Sequence, residues 1–174
     1  MQLSLTNTRL CGVWFHKGMP TGTYNAEGIT AVADALRVNS SLTSLDLSNN
    51  ALCGVQLTFG SDTGTYTAEG ITAIADALRV NGGLTALDLS SNSLKDEGVS
   101  AVCEAIQSNK ETKLASLNFK DNSIGPVGAK SVAAMVAVTS SLTECNLNYN
   151  SIDSEGKASI RNAVQGKAGF ELRI

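Results

Sequence analysis

The chain has 174 residues, 43% of them hydrophobic and 17% charged, with only 2 prolines, so it can bury a substantial core. Its net charge of −3 excludes the basic stripe that nucleic-acid binding requires. No window approaches the roughly 18 uninterrupted apolar residues of a membrane helix. Met1 to Thr6 lack the basic and apolar regions of a signal peptide, so a cytoplasmic location is expected.

Residues 1–10 place Leu3, Leu5 and Leu10 at the spacing of Leu45, Leu47 and Leu52, with Thr8 where the later copy carries Asn50. The first leucine of that unit would precede Met1, so the chain is expected to begin inside a repeat of a longer array. The open edge of its first strand predicts weak self-association. Residues 11–27 and 53–69 are paired insertions, with Gly12, Gly18 and Gly22 matching Gly54, Gly60 and Gly64. Glycines at fixed offsets suggest turns with positive φ, and ordered Ω-like loops lying side by side are expected.

Apolar positions three or four apart (Ile29/Val32/Leu36, Ile71/Ile74/Leu78, Val99/Val102/Ile106, Val132/Met135/Val136) predict helices over 28–38, 70–80, 97–108 and 127–138. A fifth is expected over 155–165, where Lys157 and Arg161 replace apolar and small residues, as on a face meeting water. Asn25 and Thr67 are the expected N-caps, and Pro126 fits a first helical turn. Between the helices, short strands are predicted at Leu45–Leu47, Leu87–Leu89, Leu117–Phe119 and Cys145–Leu147, paired in parallel, with a closing strand over 170–174. Asn50, Asn92, Asn122 and Asn150 form a column whose amides can satisfy the turning backbone.

The unit is clearest in Gly70–Leu94, where a helix-period segment runs into L-x-x-L-x-L-x-x-N-x-L at Leu84, Leu87, Leu89, Asn92 and Leu94. Nearly the same text stands at Gly28–Leu52, and looser copies begin at Leu114 and Leu142. This pattern resembles leucine-rich repeats of the ribonuclease-inhibitor and NOD-like-receptor type. The resemblance implies one α/β domain over 1–174: a curved right-handed solenoid with a parallel inner sheet and outer helices.

Chemistry is sparse. Cys145 and Cys103 stand at buried repeat positions, and Cys11 and Cys53 are equivalents in adjacent repeats. Buried thiols are the expected state of all four, with a disulfide or shared metal at Cys11 and Cys53 as open alternatives. His16 is the sole histidine and has no matched nucleophile; Gly60-Ser-Asp-Thr lacks the ending of a phosphate loop, and Asp62 alone makes no calcium loop. No catalytic residue, metal site or cofactor is therefore predicted, and the chain is not expected to be an enzyme.

Binding surfaces remain. In the repeat type it resembles, residues between the strand leucines face the concave side. Here these are Ser44, Asp46 and Ser48, then Ala86, Asp88 and Ser90, then Ser116, Asn118 and Lys120, then Glu144, Asn146 and Asn148. This face reads as polar and mildly acidic, without aromatic or arginine anchors. The insertions concentrate Trp14, Phe15, Tyr24, Phe59 and Tyr66, which either pin the loops or form a platform for a protein partner. The function expected is a non-enzymatic protein-interaction module of a larger recognition or scaffold protein. The alternatives are a GTPase-activating regulator resembling the Ran GTPase-activating protein, and a structural spacer.

Overall fold

Leucines at the repeat spacing can all be buried only if successive strands stack side by side, and that is what the chain does. In the computed structural model, which describes residues 1–12, 14–16, 19–58 and 61–174, a parallel sheet runs through the molecule. Its strands are β1 (Gln2–Ser4), β4 (Ser44–Asp46), β7 (Ala86–Asp88), β8 (Ser116–Asn118), β9 (Glu144–Asn146) and β10 (Glu171–Arg173), adjacent in that order. Between the first two sheet strands lie the hairpin strands β2 (Trp14–His16) and β3 (Met19–Thr21) and then α1 (Glu27–Val38). The hairpin strands β5 (Val55–Thr58) and β6 (Ser61–Gly64) precede α2 (Glu69–Leu78). The later crossovers are α3 (Lys95–Ser108), α4 (Pro126–Val138) and α5 (Ser154–Val164).

Register follows the repeat residue for residue. Leu3, Leu45, Leu87, Leu117, Cys145 and Leu172 form one cross-strand column, and its four central members are buried. Leu47, Leu89, Phe119 and Leu147 form a second buried layer, and the helices close the core with Ile29, Ile71, Ile74, Val99, Val102, Val132 and Val136. Each such side chain gains about 1.5–3 kcal/mol on full burial, so the core grows with every added repeat. Only Gly156 and Ile160 of α5 are buried, and Arg161 lies exposed, as the charged face of that helix predicts.

Where the strands turn, the asparagine column does the work of a missing strand. Asn92 Nδ2 donates to Leu89 O, Ser90 O and Leu47 O at 3.0, 3.1 and 3.0 Å, while its Oδ1 accepts the Asn50 N–H at 2.9 Å. Asn122 repeats this one layer on, and Thr8 stands in for the amide at the first turn, its N–H donating to Asn50 Oδ1 at 3.1 Å. Residues on both sides of the ladder take the left-handed region: Asn7 and Arg9, Asn49 and Ala51, Ser91 and Ser93, Asp121 and Ser123. The amide bonds hold a conformation that L-residues otherwise avoid.

A second asparagine ladder, absent from the sequence reading, stands at the helix C-termini. Asn81 Nδ2 donates to Leu36 O and Asn39 O at 2.8 and 2.9 Å; Asn109 Nδ2 donates to Leu78 O and Asn81 O at 2.7 and 2.8 Å. These are carbonyls that a helix end leaves unpaired. The ladder stops at Thr139, whose buried Oγ1 finds no partner among the described residues.

Some local expectations shift. Each inner strand begins and ends one residue before its predicted span, because the ladder bonds engage the residue ahead of the first strand leucine. The insertions contain antiparallel hairpins, β2–β3 and β5–β6, rather than Ω-like loops, and β3 lies against β5. Helices α1 and α2 open after Ala26 and Ala68, yet Asn25 Oδ1 still accepts the Glu27 N–H at 2.6 Å.

Candidate interaction surface

Alternation along a strand sends every second side chain away from the helices. With Leu45, Leu87, Leu117 and Cys145 turned into the core, Ser44 and Asp46, Ala86 and Asp88, Ser116 and Asn118, and Glu144 and Asn146 must face the other way. They line a shallow groove of about 290 Å³ that Arg173 closes at one end. That is about the lower limit of small-molecule pockets, and no apolar wall surrounds it.

The groove's polar atoms are largely tied to one another. Asp46 Oδ1 accepts from the Ser48 N–H at 2.9 Å and Ser48 Oγ at 2.7 Å, and Asp46 Oδ2 accepts from Ser4 Oγ at 3.0 Å. Burial pushes this carboxyl up, but those three hydrogen bonds outweigh it and hold it below the ordinary carboxylate value. Asp88 repeats the arrangement with Ser90 and accepts from Asn118 Nδ2 at 2.8 Å. Ser48 and Ser90, expected from sequence to be contact residues, are nearly buried and donate to the aspartates. Asp46, Asp88, Asn118, Glu144, Asn146 and Asn148 stay partly exposed, and Lys120 is exposed.

Two residues of this face escaped the sequence reading. Arg173 lies in register with Asn146 and bridges to Glu144 at 3.3 Å and to Glu171. The face thus has an arginine after all, and the Phe170-x-Leu172-x-Ile174 alternation was the signal for it. Tyr149, at the rim, is 77% exposed with Lys120 Nζ 5.1 Å from its ring centroid. It occupies the repeat position of Asn49, Ser91 and Asp121.

Of the insertion aromatics, Tyr24 and Tyr66 are half-buried and bridge repeats. Tyr24 Oη donates to Leu52 O at 3.0 Å and accepts the Gly70 N–H at 3.1 Å; Tyr66 Oη donates to Leu94 O at 2.9 Å. A Cβ on Gly70 would meet Leu52 O at 2.5 Å and Tyr24 Oη at 2.9 Å, so only glycine fits beneath this bridge. Trp14 and Phe15 belong to β2, but their side chains lie outside the described residues, as does Phe59.

All four cysteines are free and buried. Burial pushes the Cys11, Cys53 and Cys145 thiols up to about 12 and raises Cys103 well above its ordinary value, which leaves them inert as nucleophiles. Among the described residues no group of His, Cys, Asp and Glu is placed to hold a metal ion, and no helix is long and apolar enough to cross a membrane.

Comparison with known proteins agrees with this geometry. The model of the family described as Leucine Rich repeat matches residues 38–52, 84–103 and 110–133. The fold is a leucine-rich repeat solenoid. A solved structure titled Leiomodin-1 Actin-Binding Site 2 superposes with a TM-score of 0.65 at 17% identity, covering 94% of this solenoid and 78% of that chain. The tropomodulin C-terminal domain of Caenorhabditis elegans gives a TM-score of 0.67 at 14% identity, covering 84% and 81%. No curated protein sequence matches the solenoid. At these identities the structural likeness establishes fold alone.

Proposed function

We propose that the solenoid is a non-enzymatic protein-interaction module of the ribonuclease-inhibitor type, working in the cytoplasm as part of a larger recognition or scaffold protein. The observation that carries this reading is the parallel sheet's outer face, where polar side chains stand in register and no element of the described chain covers them. Such a face offers a preformed, rigid surface with little ordering cost on binding. Asp46, Asp88, Asn118, Lys120, Glu144, Asn146 and Asn148 make the principal contacts in this proposal. The insertion aromatics Trp14, Phe15 and Phe59 extend them, while Tyr24 and Tyr66 mainly hold the insertions in place. The leiomodin domain is titled an actin-binding site, so actin is one candidate partner to include among those tested.

The test is affinity capture from a lysate with two baits: the intact chain, and a chain whose residues 11–27 and 53–69 are cut to a three-residue connection like Lys95-Asp-Glu. The same partner captured by both baits supports the sheet face. Capture lost by a variant that still melts cooperatively would move the contacts to the insertions, and capture by neither would leave a spacer. The outer edge of β1, which no strand of the described residues pairs, also supports weak self-association of the isolated chain. Light scattering that stays monomeric at high concentration would remove it.

A further inference from the structure

Five equivalent positions follow the strands at the rim of the groove: Asn7, Asn49, Ser91, Asp121 and Tyr149, with φ of 52°, 56°, 55°, 56° and 59°. Asparagine and aspartate tolerate this left-handed region, whereas a bulky aromatic there is an outlier that costs on the order of a kilocalorie per mole. Tyr149 gains little packing in return, since it is 77% exposed. Its ring instead backs Lys120, whose Nζ lies 5.1 Å from the centroid. Among the described residues Lys120 makes no ion pair, while Arg37, Arg79 and Arg173 all pair with carboxylates. An exposed cation held over a strained aromatic, beside a groove, is a binding corner rather than a structural one.

We infer that the Lys120–Tyr149 corner receives an aspartate or glutamate side chain of the protein partner. The carboxylate meets the Lys120 ammonium and the Tyr149 hydroxyl, and the carrying side chain's methylenes lie against the ring. Neighbouring acids weaken the attraction for an incoming anion, but each already holds a donor of its own and does not compete for the Lys120 ammonium. Asp121 accepts from Ser91 Oγ at 3.0 Å, Glu144 accepts from Ser116 Oγ and pairs with Arg173, and Asp88 is held by Ser90 and Asn118. The same acids bar a polyanion, so the corner suits a single carboxylate on a protein segment. This inference rests on the interaction-module reading and names the chemistry of its partner.

The test selects a phage-displayed library of random linear peptides on the intact chain and measures the enriched peptides against Lys120→Glu, Tyr149→Asn and the opposite-face control Glu104→Ala. Enriched peptides should carry Asp or Glu and bind both corner variants about tenfold or more weakly, with the control unchanged. Exchanging the peptide's acid for lysine should restore binding to Lys120→Glu. Tyr149→Asn should melt no lower than the parent, since asparagine suits this backbone, so lost binding cannot be ascribed to unfolding. Peptides that bind both corner variants at full affinity would overturn the corner while leaving the module standing. Failure to enrich any peptide above a bare support would overturn both.

Discussion

Asn92 Oδ1 accepts the backbone N–H of Asn50 at 2.9 Å, a bond that spans 42 residues of sequence and one step of the solenoid. The acceptor is 1% exposed and its Nδ2 serves three carbonyls, so nothing else can replace it. Asn92→Ala leaves several buried groups unpaired, each costing roughly 1–3 kcal/mol, although relaxation recovers part of this. A loss of about 3–5 kcal/mol in denaturant titration is expected. Asn92→Asp should fare nearly as badly, because it accepts but cannot donate.

At the helix ends the second ladder can be completed. Thr139 follows Asn39, Asn81 and Asn109, and a crevice of about 180 Å³ lies between it and Ile106 and Asn109. An asparagine here would reach the carbonyls of Ile106 and Asn109, as Asn109 reaches those of Leu78 and Asn81. Thr139→Asn should stabilise the chain by about 1 kcal/mol. An unchanged denaturant midpoint would show that the crevice does not place the amide correctly.

Both ladders were present in the text, but only one was read. Asn50 and its equivalents fall inside the leucine pattern, which draws attention to them. Asn39 and Asn81 lie three residues before Leu42 and Leu84, and Asn109 lies five before Leu114, so the extra two residues of the 30-residue repeat hide the third rung. The hairpins had a signal too, with Gly18 and Gly60 near the centres of β-prone runs. Lys120's dependence on Tyr149 was illegible, because it joins different repeats through a left-handed residue.

Tyrosine hydroxyls join the insertions to the repeats. Tyr24→Phe removes the donor to Leu52 O and the acceptor for the Gly70 N–H, and Tyr66→Phe removes the donor to Leu94 O. These sites are half-buried and reachable by water, so each change should cost about 1 kcal/mol in thermal or denaturant unfolding. Loss of partner capture without any loss of stability would instead place the hydroxyls in the interface.

Alkaline pH should weaken the fold. In the folded chain Cys11, Cys53 and Cys145 are pushed from an ordinary 9.0 up to about 12, so between those values the unfolded chain binds fewer protons. Stability therefore falls as pH rises from about 9, in the direction set by proton linkage. Cys145→Ala should flatten that slope, as read from melting temperature against pH. A slope unchanged in the variant would show that the thiol ionises readily in the folded state.

The most direct measurement of the sheet face as the binding surface is site-specific photocrosslinking with a captured partner. One chain carries the crosslinker at Ser116 in the groove, and another carries it at exposed Glu104 on α3. A partner adduct from Ser116 and none from Glu104 is the expected result. Adducts from Glu104 alone, or equally from both, would contradict it.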